Sequence, residues 1–313
     1  MSTPTLAPHR VLELRDIRVV YPGTGRKGKP VEALRGVSLS LEAGIVVGLA
    51  GANGAGKTSF MELCVGALRP TGGQVTWGGR TTCDAGVRKR IGFCPDVPAL
   101  PQRFTGREVL RFFAALEGMS TAEADARIDY LAERLRLRDA LGSRVALLSR
   151  GNLQRIGVCQ ALICKREIIL CDESFAPLDP VAQLDLRELL RDEARQGAAV
   201  LVSSHQLDQL AKLADEIVIM SHGTITRHLD RDAAAAKQTI VLDIAGLPSE
   251  QISVLRSAFP GAWCTNMVMR IPWANEFVDR ESVHSVLPSA FRSVPVIGVE
   301  AFSLEAVFHE SVA

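Results

Sequence analysis

Residues 51–58 read Gly51-Ala52-Asn53-Gly54-Ala55-Gly56-Lys57-Thr58, the spacing G-x-x-x-x-G-K-[ST]. This stretch restricts the fold more than any other. An apolar run, residues 45–50, leads in as a short buried strand. Helical spacing over residues 58–68 leads out and stops at Arg69-Pro70-Thr71-Gly72. A strand, a glycine loop and a helix in that order belong to an α/β architecture and hold a polyphosphate. Glycines let backbone N–H groups turn inward without a side-chain clash. The helix that follows aims its N-terminus, and its partial positive charge, at the anion. The loop from Gly51 to Gly56 forms the cradle. Lys57 reaches the β- and γ-phosphates, the Thr58 hydroxyl ligates magnesium, and Ser59 completes the nucleotide-contacting stretch. A plain glycine turn would need neither the buried strand before it nor the lysine.

A second run, Ile168-Ile169-Leu170-Cys171-Asp172-Glu173, is four apolar residues ending in two acids. It reads as a buried strand that delivers carboxylates at its C-terminal edge, where ligands bind in open α/β sheets. Asp172 is expected to hold magnesium through water, and Glu173 to polarise an attacking water as general base. Many strands end in acids; the glycine loop upstream is what gives this pair its meaning.

Around these two sites the chain alternates strands and helices. Residues 11–20, 37–41, 74–77, 90–94, 168–171 and 199–203 read as strands. Residues 108–141 carry helical spacing, and a further helix is expected after Ser149. We expect a mostly parallel core sheet with a helical insertion over residues 98–165. A short alanine run, residues 233–236, marks a boundary between a domain over 1–230 and a smaller α+β domain over 231–313. The latter reads as strand 239–244, helix 249–259, strand 268–271, helix 280–291, strand 294–299 and a last helix over 304–311, a split βαβ pattern.

Charge is balanced, with 36 Lys and Arg against 35 Asp and Glu, so no nucleic-acid partner is expected. No apolar run reaches the roughly 20 residues that cross a bilayer, and the N-terminal residues lack the apolar core of a signal peptide. The seven cysteines form no C-x-x-C pair and read as small core residues.

Together these motifs resemble the ATP-binding-cassette family over roughly residues 11–229. Leu148-Ser149-Arg150-Gly151-Asn152-Leu153-Gln154-Arg155 looks like the family's signature loop, typically LSGGQ followed by a basic helix. Ala176-Pro177-Leu178-Asp179 sits where the family's D-loop lies. His205 matches its switch histidine, and Tyr21 falls where the family places a ring under the adenine. The resemblance implies ATP with Mg2+, and two copies sandwiching two ATP molecules head to tail. Ser149 and Gly151 of one copy would meet the γ-phosphate held by the other copy's Lys57. His205 would sense that phosphate and Asp179 would cross the dimer interface. The other histidines, His9, His222, His228, His284 and His309, carry no comparable context and read as structural.

Three departures stand out. Asp96 replaces the family's glutamine; it still offers oxygen to magnesium but loses the amide donor. Arg150 and Asn152 replace a glycine and a glutamine of the signature loop. Ser174 follows Glu173 where proline is common. No catalytic group is lost, so hydrolysis is expected. The resemblance implies a cytoplasmic ATPase subunit, peripheral on the membrane's inner face through a separately encoded permease. Its partner cassette is a second copy or a different chain. Residues 302–310 resemble the tail of exporter-type cassettes for drugs, antibiotics or sodium. A soluble regulator or nucleic-acid-associated cassette using ATP only as a clamp is the competing class; such proteins often fuse two cassettes or insert long coiled coils, and this sequence shows one cassette and no heptad run.

Overall fold

The computed structural model describes residues 10–22, 29–81, 84–230, 238–259, 263–265, 267–273, 287–291 and 294–301. The chain divides into two compact units, Met1–Ile225 and Thr226–Ala313.

In the first unit the elements run β1 (Arg10–Tyr21), β2 (Val31–Glu42), β3 (Val46–Gly51), α1 (Lys57–Cys64), β4 (Gly72–Trp77), β5 (Arg80–Thr81), α2 (Ala85–Arg88), β6 (Ile91–Cys94), α3 (Gly106–Leu116), α4 (Thr121–Arg134), α5 (Arg150–Ala161), β7 (Ile168–Cys171), α6 (Pro180–Arg195), β8 (Ala199–Ser204), α7 (Leu207–Leu213) and β9 (Glu216–Ser221). The strand β10 (Thr224–Asp230) contains the division point.

The core sheet has the order β9-β3-β8-β7-β6, with β10 beside β9. The pairs β3/β8, β3/β9, β6/β7 and β7/β8 are all parallel. Every residue of β3, β7 and β8 is buried, which is why these strands read as unbroken apolar runs. Parallel pairing has a direct consequence for function. The C-terminal ends of β3, β6, β7 and β8 reach one edge of the sheet, and there lie the glycine loop, Asp96, Asp172–Glu173 and His205.

The first strands are not part of that sheet. β2, β1, β4 and β5 form a separate antiparallel sheet. Strand β1 buries Leu12, Leu14, Ile17 and Val19 and leaves Arg15, Asp16, Arg18 and Val20 exposed. That one-sided pattern suits antiparallel pairing with a wet face, beside the expected mostly parallel core sheet.

The helical stretch predicted over residues 108–141 is two helices. Gly118 turns the chain with φ +81°, and Ser120 starts α4 with a reciprocal capping box to Glu123. Thr105 and Glu108 do the same for α3. The helix after the glycine loop ends at Cys64 rather than near residue 68, because Gly66 adopts φ +72°.

In the second unit, β11 (Gln238–Asp243), α8 (Ser249–Ala258), β12 (Trp263–Thr265), β13 (Val268–Trp273) and β14 (Val296–Ala301) are described. The strands form an antiparallel sheet in the order β12-β13-β11-β14, the order of a split βαβ unit. Ile240, Leu242, Leu255, Met269, Ile271 and Phe291 make its core. Of the predicted helix at 280–291 only a 3-10 turn, Ser289–Phe291, is described. The alanine run at 233–236 and the last predicted helix, 304–311, lie outside the described residues.

Candidate functional site

The glycine loop closes tightly over the end of β3. Gly56 caps α1 in the left-handed region, φ +105°. A Cβ there would lie 2.7 Å from the Ala33 carbonyl oxygen, and one at Gly51 would lie 2.8 Å from that of Met220. Both positions therefore demand glycine for space, and Gly56 for conformation as well. Helix α1 begins at Lys57, so its first N–H groups face the loop's mouth.

Lys57 is 6% exposed. Its Nζ donates to the carbonyl oxygens of Gly51 at 2.8 Å and Ala52 at 3.3 Å. It also stands 3.2 Å from Glu173 Oε1. That oxygen is buried and has no hydrogen bond; the distance makes the contact with Lys57 an ion pair whose geometry leaves acceptor capacity unused. The other oxygen, Oε2, lies 2.8 Å from His205 Nδ1 and accepts the His205 backbone N–H at 3.3 Å. Glu173 itself sits at φ +46°, a left-handed conformation that non-glycine residues hold only when their surroundings fix it.

Ser203 is part of what fixes it. Its hydroxyl accepts the Glu173 N–H at 3.0 Å and donates to Asp172 Oδ1. The second oxygen, Asp172 Oδ2, accepts from Thr58 Oγ1 at 2.9 Å. Three segments far apart in sequence thus converge on one buried carboxylate. Thr58 and Asp172 present hard oxygen donors beside a cleft that Asp96 also lines. That donor set fits a magnesium ion, which would supply charge neutralisation of a bound polyphosphate.

The cleft has a volume of about 530 Å³. Asn53, Gly54, Gly56, Lys57, Thr58, Ser59, Asp96, Glu173 and Tyr21 line it. The Tyr21 phenol shares a hydrogen bond with Ser59 Oγ at 3.0 Å and donates to Glu62 at 3.5 Å, which ties the ring's far end to α1. Sequence reasoning missed Val31, Glu32, Ala33 and Arg35 on β2, and Gly223 and His222 in the turn after β9. His222, read above as structural, faces the cleft. The only local signal was a His-Gly pair after an apolar strand, which announces a turn without its location. That turn is placed by Gly223, whose N–H bonds the Ala55 carbonyl at 3.0 Å and whose own carbonyl accepts from Arg35 N at 2.8 Å.

Ser149, Gly151 and Asp179 do not line this cleft. Ser149 is the N-cap of α5 and accepts from Asn152 N at 3.2 Å. Gly151 allows α5 to approach the following loop, since a Cβ there would lie 3.0 Å from the Pro177 carbonyl oxygen. Asp179 caps α6 through the Ala182 N–H at 2.9 Å, and that bond holds its carboxyl below the usual range. Asn152, at the signature glutamine position, accepts from Arg155 at 2.6 Å.

The buried cysteines among the described residues are held as thiols. Burial pushes the Cys94 and Cys159 thiols up to about 12 and raises Cys64 and Cys171 too. No helix among the described residues is long and apolar enough to cross a membrane.

Residues 34–176 match the protein family described as ABC transporter. The chain is 36% identical over 202 residues to the ABC transporter ATP-binding protein NatA of Bacillus subtilis, covering 64% of this chain and 82% of NatA. It is 34% identical over 217 residues to an uncharacterized ABC transporter ATP-binding protein of a Nostoc species; that match covers 69% of this chain and 65% of the relative's own length. The methionine import ATP-binding protein MetN of Brucella abortus is 31% identical, over 71% of this chain and 59% of MetN. Among solved structures, an ATP-binding subunit of an ABC transporter superposes with a TM-score of 0.64 at 28% identity, covering 72% of this chain and 91% of that one.

Proposed function

The chain belongs to the ABC transporter family as an ATP-binding subunit, and from that premise we propose that it hydrolyses Mg2+-ATP as the motor of a membrane exporter. The observation that carries this reading is the chain of contacts Lys57–Glu173–His205, at 3.2 and 2.8 Å, in which Lys57 and Glu173 line the cleft and the exposed His205 stands behind the carboxylate. It puts a general base between a phosphate-binding ammonium and a histidine. Lys57 and the first N–H groups of α1 hold the β- and γ-phosphates. Glu173 takes the proton of the attacking water, and His205, bonded to the same carboxylate, orients it. Thr58 and Asp172, with Asp96 nearby, would hold magnesium, which would supply neutralisation of phosphate charge.

One copy supplies only half of this site. Ser149 and Gly151 stand at the exposed start of α5, off the cleft. A helix N-terminus favours anions, so a second cassette's γ-phosphate is a natural ligand for it. In this reading ATP closes a head-to-tail dimer with Asp179 at the interface, hydrolysis reopens it, and a separate permease turns the motion into transport. Export is favoured by the resemblance of residues 302–310 to exporter tails. Import has the MetN likeness in its support. A substrate-binding protein encoded beside this gene would decide for import.

The test is Glu173→Gln. The amide keeps the shape of the side chain but cannot take a proton. ATP binding should persist, while turnover falls by about 10²–10⁴-fold, the usual share of general-base catalysis. Light scattering should then show an ATP-dependent dimer. Turnover at the wild-type rate in this variant would overturn the assignment of the base.

A further inference from the structure

Gln154 is a polar side chain in an apolar place. It lies on α5, is 1% exposed, and its role is not explained by the phosphate site. Its Nε2 donates to the Pro95 carbonyl at 3.1 Å, to Ser174 Oγ at 3.2 Å and to Cys94 Sγ at 3.3 Å. Ser174 is fully buried and donates onward to the Asp172 carbonyl at 3.3 Å. One amide therefore joins the residue before Asp96 to the residue after Glu173. Burying such a group is unfavourable unless its bonds are made, so the network holds its partners in register.

The helix carrying this amide is locked to the sheet edge. A Cβ on Gly157 would lie 2.5 Å from Pro98 Cγ, and one on Gly92 of β6 would lie 2.3 Å from the Ala161 carbonyl oxygen. Neither approach leaves room for a methyl, and Gly92 meets the backbone at the end of α5 itself, so α5 and β6 move together. Ser174 adds a further link, through its hydroxyl. Proline, common at that position in the family, has no hydroxyl to accept from Gln154 or to reach Asp172. Glu173 sits between these anchors in its left-handed conformation, φ +46°.

We propose that Gln154 is a positioning residue that couples the two ATP sites of the dimer. This rests on the composite-site reading above. The start of α5, at Ser149 and Gly151, meets the nucleotide of the partner. Gln154, on the same helix, meets the segments that carry Asp96 and Glu173 of its own site. A shift of α5 on engaging the partner's ATP is thereby passed to the base of the other site. No bond is made or broken in the relay; it acts through the angle at which Glu173 is presented.

Gln154→Met keeps the volume and removes the donor, and Ser174→Ala removes the onward link with little loss of packing. The full chain is assayed for single-site nucleotide affinity with a fluorescent ATP analogue, for kcat, and for the Hill coefficient in ATP. Light scattering in the Glu173→Gln background reports ATP-driven dimerisation separately. Wild type should show a Hill coefficient approaching the number of coupled sites. Gln154→Met should keep nucleotide affinity within about threefold while the Hill coefficient falls toward one, since coupling of this kind is typically worth about 5–150-fold. Misplacing the base should lower kcat by about tenfold or more. Ser174→Ala should fall between the two. A merely structural role would lower the thermal midpoint without changing the Hill coefficient, and that result overturns the proposal. So does a Gln154→Met protein with wild-type cooperativity and kcat, which leaves the composite site standing. Absence of both dimerisation and cooperativity in the parent proteins would overturn the composite site itself, and this inference with it.

Discussion

Ser203→Ala removes one hydroxyl and disturbs two charged groups at once. The side chain is fully buried. It donates to Asp172 Oδ1 and accepts the Glu173 N–H at 3.0 Å. Without it, a carboxylate oxygen on a residue 1% exposed loses a donor, and a backbone N–H in a strained turn loses its acceptor. A hydrogen bond to a charged group is worth about 1.5–3 kcal/mol and a neutral one about 1 kcal/mol. Thr58 still serves the other oxygen of Asp172, so only these two bonds are lost, and together they are worth about 2.5–4 kcal/mol. A unit of this size loses about 2–4 °C of Tm per kcal/mol, so the midpoint should drop by about 5–16 °C. Urea unfolding followed by circular dichroism gives the free energy directly. The neighbouring Ser204→Ala is the control. Ser204 is as buried, but its hydroxyl serves the Gln206 N–H at 2.9 Å, so only about 1 kcal/mol is at stake. Catalysis should separate the pair further, because only Ser203 anchors Glu173. A loss below about 1 kcal/mol in Ser203→Ala, or equal kcat in the two variants, would refute the claim that this hydroxyl holds the acids in place.

Gly157→Ala would drive a methyl to 2.5 Å from Pro98 Cγ; overpacking of that kind should destabilise by about 1–3 kcal/mol in urea titration. Thiol reactivity should follow burial. With Cys94 and Cys159 pushed up to about 12, almost no thiolate exists at pH 8, and its fraction grows only as pH approaches that value. Peptide mapping after treatment with a disulfide reagent at pH 8 should find both unmodified in the native protein and modified in urea; ready native labelling of either would contradict their placement in the core. These results join the Glu173→Gln dimer trap and the loss of cooperativity in Gln154→Met.

Much of the site was legible because its signals are local. The loop from Gly51 to Thr58 announces itself by glycine spacing, and its strand and helix follow where the pattern puts them. The run ending in Asp172–Glu173 is one strand long. Ser149 reads as a helix start and is one. The second unit's strands and helix are signalled segment by segment, whereas its strand order, β12-β13-β11-β14, is written in no single segment. The failures are equally physical. Nothing in the periodicity of residues 10–21 says which sheet they join, because alternation fixes a wet face and not a partner. His222 and Arg35 enter the cleft through the turn at Gly223, and no neighbour in sequence reports that.

The primary structure already carries the groups of the candidate site: a glycine loop, a lysine, a threonine and two acids at strand ends. How these groups are held is set by folding. Thr58 and Asp172 are 114 positions apart, Ser203 and Asp172 are 31, and Gln154 and Ser174 are 20. A motif records what must be adjacent along the chain. A hydrogen bond to a buried carboxylate depends on where folding brings a distant hydroxyl, and burial gives that hydroxyl its energetic weight.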